Sequence, residues 1–444
     1  MREKPIFPLI LKMALPMVVS MLVNALYNIV DGMFVSQASE IAMTAISLVF
    51  PLQNLANAAG IGFGVGINAA VAYYLGSQKK AAADRAATLG LLLSVLHGVV
   101  LAILCLSAIE PFLRLFTKSE ETVAYGLDYF YIVIAFAPIL TADMALEKIL
   151  QATGKMKTTM FCMAIGALVN IVLDPVFIRG AFFVPAMGVK GAAVATGIGQ
   201  VVTLFSYIVV YACAKIPVNF RLGRRSDEKI CRKLYAVGVP AFLNLALPSF
   251  TVTFLNAVLV SFSETYVFIL GVYYKLQTFL YFTLSGIVQG VRPLVGYNYG
   301  AGRQDRVTGI FKVSLFLGVV VMIAGTVVCF VIPERLMSIF TDSEQAIEEG
   351  TLALRIIGSG FIVSAFSVVI GGFFEGLGKG MPSLVISLLR YVAILPVALC
   401  ASFSFGAIGV WHAFWITEVF AALCACLLFY FCYVKTISPK RGKP

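Results

Sequence analysis

Charge is scarce in this chain of 444 residues, where Asp, Glu, Lys and Arg together make 12% and hydrophobic residues 60%. A soluble globular domain carries roughly a quarter of its residues charged, so this shortage excludes that class. Mean hydropathy of +0.95 points to a polytopic membrane protein instead. Histidine is scarcer still. His97 and His412 are the only two and stand alone, so no histidine-based metal cluster is expected. The nine cysteines (Cys105, Cys162, Cys213, Cys231, Cys329, Cys400, Cys424, Cys426, Cys432) almost all lie inside apolar segments without ligand spacing or staple partners, and read as small packing residues. No ATPase motif is present. GIGFGVG at 60–66 lacks the strand and helix start of a phosphate-cradling loop and reads as helix-packing glycine. Alternating decamers are missing too, which argues against a barrel. Neither a nucleophile with its base nor a His-carboxylate pair stands out, which disfavours a membrane-embedded enzyme, and no cofactor is expected. The start, MREKPIFP, is followed by an apolar segment too long for the h-region of a cleavable signal peptide.

Long apolar runs are plentiful. A run of about 20 apolar residues spans the hydrocarbon core as a helix. Such segments are expected near 9–36, 43–75, 87–109, 123–149, 158–178, 188–214, 234–260, 266–298, 310–332, 348–375, 383–404 and 408–434, twelve transmembrane helices in an all-α membrane protein. Lys79, Lys80 and Arg85, then Lys155 and Lys157, the stretch from Lys215 to Lys233, then Arg303, Arg306 and Lys312, and finally Lys440, Arg441 and Lys443 all fall on one side. The turn before segment 10 is acidic, with Asp342, Glu344, Glu348 and Glu349. By the positive-inside rule both termini are cytoplasmic in a bacterial or archaeal inner membrane. The net charge of +11 then reflects topology and contact with anionic lipid, not nucleic-acid binding.

The chain repeats itself. LFTKSEETVAYG at 115–126 matches IFTDSEQAIEEG at 339–350, and Pro16, Gly76 and Gly154 match Pro240, Gly300 and Gly378 at an offset of 224; Gly188 and Gly191 match Gly406 and Gly409 at 218. Two lobes of six helices each follow, 1–214 and 234–444, joined by a basic cytoplasmic linker at 215–233. Halves related in this way typically rock about a central site.

The polar residues are unevenly divided between the halves. In MVVSMLVNALYNIVDGMFVS at 17–36, Asn24, Tyr27, Asn28 and Asp31 share one helix face. An Asp near a bilayer centre costs roughly 2.5–3.5 kcal/mol and asks for a reason. Segment 5 adds Asn170 and Asp174, with Pro175 behind, and segment 6 adds Thr196, Gln200 and Thr203 on one face. The repeat puts Leu255, Ile394 and Ala398 where the first half has Asp31, Asn170 and Asp174. Such a set of oxygens suits a hard cation such as Na+, or a shared proton. Interhelical hydrogen bonding is the structural alternative. Lys275 and Arg390 are intramembrane bases that either touch substrate or pair structurally. Asp143, Glu147 and Glu375, near the cytoplasmic ends of segments 4 and 10, are candidates for a gate or for helix caps.

The sequence resembles the multidrug and toxic compound extrusion (MATE) transporters along essentially its whole length. The resemblance rests on Pro16 and Asp31 in segment 1, N-x-x-x-D-P from Asn170 to Pro175, G-x-x-G-A-A-x-A-T from Gly188 to Thr196, and QGVRPLVGYNYGAG at 289–302. It implies a V-shaped pair of lobes around a central cavity that exports bulky, often cationic compounds in exchange for Na+ or H+; small lipophilic or cationic substrates, contact with membrane lipids and a monomeric state are expected. It also implies that Asp31, Asn170, Asp174 and Thr196 form the cation site in the first lobe. Another branch of the family places acids in segments 7 and 10. Here Asn256 and Ser364 stand near those depths, against a second-lobe site. The rival within the superfamily, a flippase for lipid-linked oligosaccharide, has a strongly basic cavity, whereas the intramembrane charges here are mixed.

Overall fold

Inside a bilayer every backbone N–H and C=O must find its partner within the chain, which leaves the helix for runs this apolar. In the computed structural model, which describes residues 3–38, 40–181, 185–220 and 228–434, every regular element is helical. Residues 221–227 of the basic linker, and Lys440, Arg441 and Lys443, lie outside the described residues. The first half contains α1 (Ile6–Ala38), α2 (Glu40–Gly76), α3 (Lys80–Phe116), α4 (Glu120–Ala135), α5 (Ala137–Ala152), α6 (Met156–Arg179) and α7 (Val189–Cys213). The second contains α8 (Glu228–Val260), α9 (Glu264–Gly300), α10 (Gln304–Val331), α11 (Pro333–Ser338), α12 (Glu344–Gly358), α13 (Phe361–Gly376), α14 (Gly380–Tyr391) and α15 (Ile394–Phe429), which ends in a π turn at Tyr430–Val434.

The sequence repeat is written into the backbone. α2 and α9 are both 37 residues long and start at equivalent glutamates. Ser119 and Ser343 cap α4 and α12, each accepting a hydrogen bond from the backbone N–H three residues on, at Thr122 and Ala346. α4 and α5 meet at a 46° bend, and their counterparts α12 and α13 at 49°. Positive φ angles recur in pairs: Gln78 (59°) with Gly302 (70°), Gly154 (86°) with Gly378 (76°), and Gly188 (55°) with Gly406 (61°). Packing repeats as well, since α5 lies on α2 and α3 as α13 lies on α9 and α10, and α6 pairs with α7 as α14 pairs with α15.

Among the described residues, nine helices are long and apolar enough to cross a membrane, or eleven when each bent pair counts as one span. The expected twelve are not reached by that measure because Gly380–Val434 registers as a single stretch of 55 residues. A straight helix of that length would run about 80 Å, far beyond a hydrocarbon core of about 30 Å. Gly406 breaks it. Its φ of 61° and ψ of −146° belong to a region open to glycine, and just beyond it a side chain at Gly409 would strike the Ala401 backbone, so the chain has doubled back. Gly188 does the same in the first half, bringing Gly191 against Phe177.

The chain forms two compact units, Val19–Phe242 and Met1–Val18 with Leu243–Pro444. Their limits fall inside α1 and α8 at equivalent points of the repeat. In the first of these units Gly62 and Gly66 let α2 approach the backbone of α8 at Phe242 and Leu234; in the other, Gly286 and Gly290 let α9 approach α1 at Val18 and Ala14. Apolar side chains also remain on the outside. Leu96, Val99, Val100, Ile103 and Leu104 form an exposed stripe at helical spacing along α3, with Ile103 62% exposed. Water does not tolerate such a surface on a soluble protein, and lipid does. The protein is a multi-pass membrane protein.

Candidate cation site

Tyr27, Asp31, Asn170, Asp174 and Thr196, among the polar residues singled out in the first half, converge within the Val19–Phe242 unit. Glycines set the spacing between α6 and α7. A Cβ at Gly166 would collide with Thr203 and would lie 2.7 Å from the Gly199 carbonyl, so only glycine permits this crossing. One turn further along α6, Asn170 is then level with Thr196 of α7. Its Nδ2 reaches both Asp174 Oδ1 and Thr196 Oγ1 at 3.4 Å, long for hydrogen bonds. Asn170, Asp174 and Thr196 are all buried. From α1, Asp31 brings its carboxyl to that of Asp174, and the Tyr27 hydroxyl meets Thr196.

Two residues that the sequence reading passed over complete the surroundings. Tyr129 of α4 is 3% exposed, lies near Asp31, Asp174 and Tyr27, and faces Gln53 of α2. Nothing local in the sequence marks them, because the contacts join positions far apart in the chain, 98 between Tyr129 and Asp31 and 76 between Tyr129 and Gln53. Asn24 and Asn28, by contrast, stay with their own helix: Asn28 Nδ2 donates to the Asn24 carbonyl and side-chain oxygen at 2.7 Å, and both are exposed. The expected stripe therefore divides, with Tyr27 and Asp31 facing the cluster. Thr203 likewise bonds back to Gly199 of its own helix at 2.9 Å.

The cluster is short of positive charge. Asp31 Oδ1, Asp174 Oδ2, Asn170 Oδ1 and, one turn along α7, Gln200 Oε1 are buried acceptors without a hydrogen-bond donor in the protein. No arginine or lysine pairs with either aspartate among the described ion pairs. Two unit charges about 4 Å apart repel by about 4 kcal/mol at an effective dielectric constant of roughly 20. A shared proton or a small hard cation removes that repulsion and satisfies the orphaned oxygens. The donor set fits Na+ chemically, being carboxylate, amide and hydroxyl oxygen alone. Among the described residues no group of three His, Cys, Asp or Glu side chains is placed to hold a metal.

The remaining candidates sit elsewhere. Lys275 of α9 is exposed, its Nζ 5.7 Å from the centre of the Phe340 ring. Arg390 of α14 pairs with Glu418 of α15 at 2.6 Å. Glu147 takes the Lys148 ammonium at 2.9 Å and the Gln151 amide, while one oxygen of Asp143 is buried without a partner. Glu375 takes Arg292 at 2.6 Å, with Ser383 at 3.0 Å and Asn244 at 3.1 Å on its other oxygen. Glu418, Arg292 and Lys148 are partners that the sequence reading did not single out. The repeat offered a signal for Glu418, which occupies the counterpart of Gln200.

At the positions equivalent to the cluster, the second half is apolar and closed. Leu255, Ile394, Ala398 and Phe414 stand for Asp31, Asn170, Asp174 and Thr196, each at most 8% exposed. Asn256 is half-buried, and buried Ser364 accepts the Tyr281 hydroxyl at 2.9 Å.

The MatE family model matches residues 16–176 and 240–400, two stretches related by the repeat offset. The Staphylococcus aureus multidrug export protein MepA is 25% identical over 431 residues, covering 96% of this chain and 94% of its own. Among solved structures, a MOP superfamily transporter from Pyrococcus furiosus superimposes with a TM-score of 0.88 at 26% identity, over 96% of this chain and 95% of its own. A MATE structure in the bent conformation gives 0.91 at 25% identity, over 98% and 97%.

Proposed function

Since this chain belongs to the MatE family of transporters, we propose that it is a secondary active multidrug efflux antiporter, driven by Na+ or H+ entering through the Asp31, Asp174, Asn170 and Thr196 cluster. The observation that carries this reading is the facing pair of carboxylates, which hold no base among the described ion pairs. An intramembrane acid pair of this kind is costly unless a proton or cation shares it, and a transporter can take that cation up on one side and release it on the other. That a relative is the multidrug export protein MepA supports small compounds as substrates, and lipophilic or cationic ones suit exchange at this cluster. The arrangement of basic turns supports cytoplasmic termini.

Exchange makes the bound cation and the drug antagonists, and by linkage each weakens the other's binding by the same factor. One elementary charge crossing about 100 mV yields about 2.3 kcal/mol. Exchange of one cation for one monovalent cationic drug moves no net charge, so only the ion's concentration ratio drives it; two cations per drug bring in the voltage. Purified protein in liposomes, with Na+ and pH gradients and membrane potential set independently, tests the reading. Export of a fluorescent cationic dye should follow at least one of the two ion gradients. Dye movement indifferent to both rules out antiport.

A further inference from the structure

The two halves differ at the basic ends of two equivalent helix crossings. α2 meets α8 through Gly66, at Leu234 and Gly238, as α9 meets α1 through Gly290, at Ala14. Lys233 lies one residue before the first of these contacts, and its counterpart at the repeat offset of 224 is Leu9, which is buried. The second crossing therefore forms with an apolar residue where the first has a lysine. Packing of the two helices does not account for the charge.

Its surroundings are positive and lack an anion. The Lys233 ammonium sits 3.4 Å from the centre of the Tyr73 ring and 4.6 Å from that of Tyr74, two rings of α2 set at 74° to each other. Ring faces orient an ammonium without neutralising it. Lys79, exposed in the turn between α2 and α3, is close enough to repel Lys233. Among the described ion pairs neither lysine holds a carboxylate. The nearby acids are engaged or turned aside: Asp84 is buried and accepts the Asn219 backbone N–H at 2.9 Å, and Glu228 precedes Lys233 by five residues, off the three and four that bring helix side chains together. α3 begins directly after Lys79 with no side chain capping it, so the positive end of its dipole adds to the two ammoniums.

Depth and surface decide which anion fits. α2, at 37 residues, runs about 55 Å against a hydrocarbon core of about 30 Å, which leaves its ends at headgroup level, where tyrosine and lysine collect. From this end the exposed face of α3 passes through Ala81 and Arg85 to Leu92, Leu96, Val99 and Ile103 at helical spacing. A basic head followed by an apolar track is complementary to a phosphate that carries acyl chains.

We propose that Lys79 and Lys233, framed by Tyr73 and Tyr74, hold the phosphate of an anionic phospholipid whose acyl chains lie along the exposed face of α3. The inference stands apart from the exporter reading, and its test involves no transport. Native mass spectrometry of the purified, detergent-solubilised protein reads the first lipid bound when dioleoyl-phosphatidylglycerol or dioleoyl-phosphatidylcholine is added at equal concentration. Wild-type protein should prefer the anionic lipid at least about tenfold, and K79Q/K233Q should lose most of that preference. K79Q alone, in an exposed turn, should lose part of it and serves if the double variant does not fold. K155Q/K157Q removes as much charge at the start of α6 and should keep the preference, and inorganic phosphate should leave the lipid in place. An unchanged preference in K79Q/K233Q overturns the proposal. So does an equal loss in K155Q/K157Q, which would reduce the effect to net charge, and so does displacement by inorganic phosphate, which would make this a site for free anions.

Discussion

The two halves share one backbone design and differ at their buried acids, although Glu147 of the first half also holds a base, Lys148 at 2.9 Å. In the first, Asp31 and Asp174 face each other, and among the described ion pairs neither holds a base. In the second, Glu375 and Glu418 each hold an arginine, Arg292 and Arg390, at 2.6 Å. The counterparts of each set in the other half are neutral: Leu255 and Ala398 for the aspartates, Gln151 and Gln200 for the glutamates, Asn68 and Gly166 for the arginines. Helix lengths, caps, bends and positive-φ residues recur regardless. The helical repeat therefore needs none of these charges. An acid pair lacking a counter-charge is open to an ion, whereas an acid already holding an arginine is closed to one.

The strongest way to break this comparison is to remove the open pair. Asp31→Asn keeps the shape and deletes a charge, and should lower ion-driven dye export in liposomes by about 100-fold, the upper range of typical coupling. Asp174→Asn should do nearly as much, while Asn256→Ala in the second half should change export by no more than about twofold. The reverse ranking would move coupling to the second half.

Transplanting the open pair is the next test. L255D/A398D places two acids where the second half is closed and apolar, and should destabilise the protein by about 3–5 kcal/mol, read as thermal unfolding in detergent. A variant as stable as wild type would show that the second half also tolerates bare acids there.

The paired acids should behave as a unit. Glu418→Gln alone strands Arg390 and should lose about 3 kcal/mol, whereas R390G/E418Q, with the residues of the first half, should lose less than the single change. Simple additivity would mean that the two residues are not energetically linked. The smallest effect concerns the shared scaffold: Ser119→Ala and Ser343→Ala each remove a helix cap and should each lose about 1 kcal/mol. Unequal losses would show that the repeat is conserved in shape and not in energetics.

Much of this was legible in advance because it is local or periodic. Apolar runs declare helices, since a bilayer leaves the backbone no other partner. The offset of 224 declared a duplication, and the turn glycines Gly154 and Gly378 have the matching backbone angles it predicts. The face shared by Tyr27 and Asp31 was readable from spacing alone. Where spacing misled was at Asn24 and Asn28, because a shared face says which way side chains point and not whether they will prefer one another, as these two do. The last two spans run together by length and composition because a single glycine, and no polar turn, reverses the chain at Gly406.

By itself, then, the sequence determined the membrane class, the helices, the duplication and which half carries unmatched acids, all properties that depend on residue type and near neighbours. Tertiary structure alone decided which acids meet. Asp31 stands 143 positions from Asp174, and neither carries a local mark of the other; Arg390 and Glu418, Tyr129 and Gln53, and the division of α1 and α8 between compact units are of the same kind. The physical reason is that burial and charge pairing depend on distances across the packed helices, and those are set when the glycines at each crossing let two backbones come together.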